Sequence, residues 1–232
     1  MKTKFLIPAA LLAATLFASC GQDANSIKFD AMDVSIDEFA AIPVFTTPTD
    51  SLSLTQSEMN GLLLMREEEK MAQDVYDSFY STYGIINFDK ISNSEVRHTA
   101  AVLALINYFE LTDPALTESG KFTSTAIQGL YDQLIAAGTS ANTALSTGAF
   151  IEEYDIADLK KLIAETTNTD IVTVYNNLLD GSQNHLRSFV RTLKNRGIVY
   201  TPQLLSSTDF ATIIAATNSN GSGKGRGGHS RK

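Results

Sequence analysis

Four stretches of the chain repeat their apolar positions at alternating spacings of three and four, the period that lays one face of an α-helix against a core. The first opens at Thr55-Gln56-Ser57-Glu58, where a threonine cap and a glutamate three residues on can each accept the other's backbone N–H. It predicts a helix to about Tyr80 with Leu62, Met65, Glu69, Ala72, Tyr76 and Phe79 in phase. A second runs from about Asp89 to Glu110 through Ile91, Glu95, His98, Val102, Leu105 and Phe109. A third follows Ser140 to about Thr166 through Leu145, Ala149, Glu152, Ile156, Leu159 and Ile163. The fourth spans about Asp170 to Asn195 through Ile171, Val174, Leu178, Ser182, His185, Phe189 and Thr192.

Short turns join the first helix to the second and the third to the fourth, so each pair is antiparallel. Residues 111–140 form a connection long enough to cross the length of a bundle, with Pro114 and Gly120 near its start and a short helix over about Thr125–Ala137 closed by Gly138. The expected architecture is all-α: a four-helix bundle with one long crossover between helices two and three, over about residues 55–205.

Composition limits the function classes. The 232 residues hold 18 basic against 26 acidic side chains, a formal charge of −8, which disfavours nucleic acid as a partner. The single cysteine excludes an intrachain disulfide and multi-cysteine zinc sites. That cysteine, Cys20, ends a leader-like segment: Lys2 and Lys4, an apolar run from Phe5 to Phe17, then Ala18-Ser19-Cys20-Gly21. The segment resembles a bacterial lipoprotein signal, which implies cleavage after residue 19, a lipid on Cys20, a tether over 20–54 and an exported, membrane-anchored protein. Residues 206–232 end in a basic tail with five glycines after Asn218, together with Lys224, Arg226, Arg231 and Lys232. That tail is expected to be disordered, with His229 solvated in it. Without leader and tail, 12 basic residues face 26 acidic ones, a body of −14.

Each of the four stripes carries an ionisable residue at mid-seam: Glu69; Glu95 with His98; Glu152; and His185. An unpaired carboxylate inside a bundle costs several kcal/mol or takes up a proton, so three carboxylates and two imidazoles converging on one interior point to a bound cation. Oxygen and imidazole ligands without thiolate suit iron or manganese. The competing structural roles are specific. Ser92-Asn-Ser-Glu95 reads as a helix cap, although the in-phase Ile91 sets the helix start nearer Asp89. Two of Glu67, Glu68 and Glu69 are expected to face solvent, and phase selects Glu69 as the inner one. Phase likewise selects Glu152 over Glu153, whose own stripe runs through Lys160. Tyr76 and Tyr108 are expected to be core aromatics with hydrogen-bonded hydroxyls.

Several of these segments resemble the ferritin-like superfamily, of the rubrerythrin type. Glu69-Lys-Met-Ala72-Gln-Asp-Val-Tyr76 is similar to its first-helix motif, Ser94-Glu95-Val-Arg-His98 to its second-helix Glu-x-x-His, Glu152-Glu153 to its third-helix position and Asn184-His185-Leu-Arg to its fourth-helix histidine. With Glu-Glu-Glu-Lys at 67–70 and Gly-Ser-x-Asn-His at 181–185, the set resembles a prokaryotic branch of the superfamily over about residues 57–200. The resemblance implies metal ligands Glu69, Glu95, His98, Glu152 and His185, a cofactor of one or two iron ions with manganese as an alternative, and oxygen or peroxide as the reacting partner. It implies an oxidoreductase of ferroxidase or peroxidase type; the alternative is a non-catalytic lipoprotein with a structural metal or a partner-binding bundle, and a homo-oligomer fits either. One position departs from the pattern. Ser182 stands three residues before His185, where the family carries glutamate, so one metal, two metals or a degenerate site remain open, with Glu153 and Glu68 as available substitutes. The chain also lacks the paired cysteines of a rubredoxin-like electron relay, so turnover would need an external reductant.

Overall fold

A computed structural model of the chain describes residues 54–216, which form six α-helices and no strand. The leader, Cys20, the tether up to residue 53 and the tail with His229 lie outside the described residues. The helices are α1 (Gln56–Tyr83), α2 (Ile86–Tyr108), α3 (Thr125–Ala137), α4 (Ala141–Glu165), α5 (Thr169–Asn195) and α6 (Ser207–Ala215). Helices α1 with α2, and α4 with α5, are the two antiparallel pairs; α1 also packs on α4 and α2 on α5, which closes the four-helix bundle.

Local chemistry sets the boundaries. The reciprocal cap at the head of α1 is present: Glu58 N donates to Thr55 Oγ1 at 3.2 Å and Thr55 N to Glu58 Oε2 at 2.8 Å. Gly84 ends α1 with φ of +64°, the left-handed conformation that glycine reaches without a Cβ penalty. Helix α2 begins three residues before the expected Asp89 and has no side-chain cap. Ser92 therefore lies inside the helix, where its hydroxyl donates to Asp77 of α1, and Glu95 has no capping duty. Helix α6 is an addition: the glycine-rich tail beyond it obscured its short apolar pattern, and it docks through the buried Ile213.

The stripes are buried as expected at their centres and only half-buried at the outer ends, where Phe109, Ile163 and Thr192 are partly exposed. Tyr108 is also half-buried and packs edge-on against Phe109 at 4.8 Å, so it is not a core residue. The apolar interior divides into two clusters. One holds Leu62, Met65, Val102, Leu105, Leu159, Val174 and Leu178. The other holds Val75, Tyr76, Phe79, Phe88, Leu145, Ile156 and Phe189, with Tyr76 to Phe189 at 5.4 Å and Phe88 to Phe189 at 5.6 Å between ring centres. Gly148 on α4 gives the Phe189 ring its room, since a Cβ there would stand 2.6 Å from the ring's Cζ.

Buried carboxylates fasten the connections to the bundle. All three of Glu67, Glu68 and Glu69 are buried, at 3 %, 3 % and 2 % exposure, which corrects the expectation that two of them face water. Glu67 turns outward under the crossover and accepts the N–H groups of Thr123 at 2.6 Å and Ser124 at 3.0 Å, where its charge favours the N-terminus of α3. Arg66 holds Asp113 through two bonds of 3.0 Å, and Asp74 accepts from Lys70 Nζ at 2.5 Å and Gly120 N at 2.8 Å. Glu153 is fully buried and accepts from Tyr200 Oη at 2.6 Å and from the backbone N–H of Gln203, Leu204 and Leu205 at 2.9–3.1 Å. It thereby anchors the segment that leads from α5 into α6.

Two predictions follow from these packings. Gly148→Ala should destabilise the fold by about 1–3 kcal/mol by overpacking against Phe189, whereas Gly129→Ala, with no neighbour within 4 Å in α3, should stabilise by roughly 0.5–1 kcal/mol; urea unfolding of both variants reads the opposite signs. Glu153→Gln sets an amide group against the Tyr200 hydroxyl and the N–H donors of residues 203–205 and should cost roughly 1–3 kcal/mol, with hydrogen exchange at the amides of residues 203–205 accelerating before the helices respond.

Candidate metal centre

Between the two apolar clusters the seams turn polar at one level. Helix α1 contributes Glu69, α2 contributes Glu95 and His98, α4 contributes Glu152 and α5 contributes His185, and none of the five is more than 3 % exposed. These are the five residues singled out from phase. Spacing of three on α2 sets Glu95 and His98 on one face, and the antiparallel pairings bring the other three across the interior to meet them.

Glu95 is the hub. Its Oε2 lies 2.7 Å from His98 Nδ1 and its Oε1 lies 2.9 Å from His185 Nδ1, so each oxygen serves a different imidazole. Glu69 Oε2 approaches His98 Nδ1 at 3.2 Å, and Glu152 Oε2 approaches His185 Nδ1 at 3.5 Å. The two imidazole rings are stacked with centroids 5.4 Å apart and planes inclined by 22°. The result is two three-donor groups sharing one carboxylate: Glu69, Glu95 and His98; and Glu95, Glu152 and His185. In each, one ligand atom per residue lies within 4.8 Å of the others.

The electrostatics follow from burial and proximity. Burial alone would keep both imidazoles neutral, but the carboxylates facing them reverse this: His98 is raised well above its usual range by Glu95 and Glu69, and His185 is raised to about 10 by Glu95 and Glu152. Burial pushes Glu69 up to about 8 against the pull of His98, and it also raises Glu152. Glu95 goes the other way, since the two imidazoles overcome its desolvation and hold it ionised.

Neighbouring groups complete the layer. The Tyr76 hydroxyl donates to Glu152 Oε1 and fixes that carboxylate from the aromatic side. Ser182 is buried on the α5 seam, with its hydroxyl against Asp155 Oδ2 and 2.9 Å from Leu178 O. Glu68 points sideways to α4, where its neighbour Asp158 is also a carboxylate; no donor reaches either Glu68 oxygen, and burial with the charges of Asp158 and Asp155 raises it well above the usual range. Glu153 is not a substitute for the carboxylate missing at Ser182, because its two oxygens are already engaged by Tyr200 and the 203–205 backbone.

The donor set fits a divalent cation. It is made of hard oxygens and imidazole nitrogens with no thiolate. Glu69 Oε1 is buried with no hydrogen-bond partner, and His185 Nδ1, despite its closeness to two carboxylates, is aligned for a hydrogen bond with neither.

Sequence reasoning passed over Asp155. Counting from Glu152 at a spacing of four reaches Ile156, and the alternative spacing of three, which reaches Asp155, was the available signal.

Comparison with known proteins places the chain in a wider group. The chain is 42 % identical over 170 residues to the uncharacterized protein MJ0754 of the archaeon Methanocaldococcus jannaschii, covering 72 % of this chain and 92 % of that protein. The crystal structure of the hypothetical protein MJ0754 from Methanococcus jannaschii matches with a TM-score of 0.72 at 40 % identity, over 75 % of this chain and 99 % of that one. The family model described as "Uncharacterized protein domain (DUF2202)" matches residues 58–217, from the first turn of α1 to just past α6, and the chain belongs to that family.

Proposed function

We propose that the buried layer is a two-ion metal centre of ferritin-like type, with Glu69, Glu95 and His98 holding one ion, Glu95, Glu152 and His185 the other, and iron as the resident metal. One observation carries the reading: the two oxygens of Glu95 face two different imidazoles at 2.7 and 2.9 Å, which is how a carboxylate shared between two cations would be held. Manganese meets the same donor chemistry. Ferrous ions in both positions would supply two electrons, the number that reduces one hydrogen peroxide, with two protons, to two waters.

The chain's own residues have definable parts in this. His98 and His185 turn Nδ1 toward the carboxylates, so the same nitrogens that hold protons in the ion-free protein are the ones that would give them up to a cation. Tyr76 orients Glu152 through its hydroxyl. The apolar clusters above and below keep water from the layer, which strengthens each charge interaction within it. No helix among the described residues is long and apolar enough to cross a membrane. For the place of action, the pattern of residues 2–21 supports export with a lipid on Cys20.

The test uses the full chain, stripped of metal, loaded anaerobically with ferrous iron and then exposed to oxygen or peroxide. Wild type should retain about two irons and change its absorbance on oxidation, while His98→Ala and His185→Ala should weaken retention by roughly tenfold or more. Failure of wild type to retain iron, or equal retention in both variants, would overturn the reading; iron held without oxidation chemistry would leave a structural metal. Separately, mass spectrometry of the membrane fraction from an expressing bacterium should find the peptide beginning at Cys20 carrying a diacylglyceryl mass; an unmodified peptide refutes the anchor.

A further inference from the structure

The two antiparallel pairs carry matching positions around the centre. Glu69 on α1 corresponds to Glu152 on α4, and His98 on α2 corresponds to His185 on α5. The remaining positions are exchanged. In the first pair the residue three after the glutamate is Ala72 and the residue three before the histidine is Glu95. In the second pair the residue three after the glutamate is Asp155 and the residue three before the histidine is Ser182. Each pair thus holds one small residue and one carboxylate at this level, on opposite helices.

All four of these positions are buried, and the exchanged pair is in direct contact: the Ser182 hydroxyl meets Asp155 Oδ2. A serine leaves the space on the α5 seam that the α4 carboxylate needs. Asp155 lies one turn after Glu152 on α4 and Ser182 one turn before His185 on α5, so their contact stands beside the level of Glu69, Glu95 and Glu152. Among these, Glu69 keeps one buried oxygen, Oε1, without any hydrogen-bond partner. Four buried carboxyls thus gather at this level, and neither the Tyr76 and Ser182 hydroxyls nor the two imidazoles give Glu69 Oε1 a partner, an arrangement that a cation relieves.

We propose that Asp155 is a further protein ligand of the centre, supplying from α4, in the grip of Ser182, the carboxylate that α5 lacks. The inference rests on the two-ion reading above and fixes how that centre is completed on the side of Glu69. It assigns four carboxylates and two imidazoles to two ions, and it gives Ser182 the role of a positioning residue that acts through Asp155.

The experiment measures manganese(II) and iron(II) binding to the full chain, by metal analysis, calorimetry and the manganese paramagnetic resonance spectrum, for wild type, Asp155→Asn, and the exchange variant Asp155→Ser/Ser182→Glu. Wild type should bind two ions and show the spectrum of a coupled pair. Asp155→Asn should weaken the second ion by roughly tenfold or more and leave the spectrum of an isolated ion, while its ion-free melting temperature stays the same or rises, because the amide keeps an acceptor for Ser182 and removes a buried acid. The exchange variant should regain the second ion and the coupled spectrum. Unchanged binding of two ions by Asp155→Asn overturns the proposal and leaves the five-residue centre standing. Loss of both ions with a lowered ion-free melting temperature marks Asp155 as structural and also overturns it. If Asp155→Asn does not fold, the exchange variant decides alone: two coupled ions support the proposal and one ion refutes it. A wild type that binds no ion, or binds independently of His98 and His185, removes the two-ion reading and this inference together.

Discussion

The structure turns on a layer of ionisable side chains placed where a bundle would ordinarily be apolar. Glu68, Glu69, Glu95, Glu152 and Asp155 share the interior with His98 and His185, five carboxyls against two imidazoles, all buried. Removing such groups from water costs several kcal/mol for each charge, and only good pairing offsets it. The charges approach closest where Glu95 lies between both imidazoles, at 2.7 and 2.9 Å, and the acids around it are less well paired. The surplus acids are raised by burial and by one another, Glu69 to about 8 and Glu68 and Asp155 well above their usual range.

Two apolar clusters pay for this layer by flanking it, and the connections are fastened by charges of their own. Successive helical residues point about 100° apart, so three adjacent glutamates can serve three directions. Glu67 reaches the backbone ahead of α3, Glu68 meets Asp158 on α4, and Glu69 enters the centre. The pair on α4 divides in the same way, Glu152 inward to His185 and Glu153 outward to the chain between α5 and α6. Glu69 and Glu152 thus each have a nearby glutamate, Glu67 and Glu153, that ties a connecting segment to the bundle.

The four long helices, and the meeting of five buried ionisable residues between them, were legible because mid-seam charges interrupt an otherwise apolar phase. Position within a stripe is a local property, and α1, α2, α4 and α5 are long enough to average over single errors. What phase cannot report is the partner of an outward-facing carboxylate. Glu67 and Glu153 find their donors 56 and about 50 residues away, in irregular backbone with no periodic pattern of its own. Both therefore read as solvated charges when only the helix is considered. Asp155 was lost for a different reason: spacings of three and four are equivalent on a helix face, and the apolar Ile156 took the place in the stripe. Ser182 reads as a gap when α5 is taken alone, and the buried carboxylate it meets, Asp155, stands on the facing helix α4.

Stability alone does not account for such a layer. Replacing buried charge by apolar residues of similar volume is often neutral or stabilising, and this bundle already has leucine, valine and phenylalanine on both sides to set its register. A chain selected for folding would close the gap between the two clusters. Here it is held open by residues from four helices, with Tyr76 and Ser182 each spending a buried hydroxyl to orient one of the acids. Orientation of this kind has no use for protonated carboxyls that merely need to be hidden. It has a use in the proposed centre, where oxygens from four helices must converge on common points.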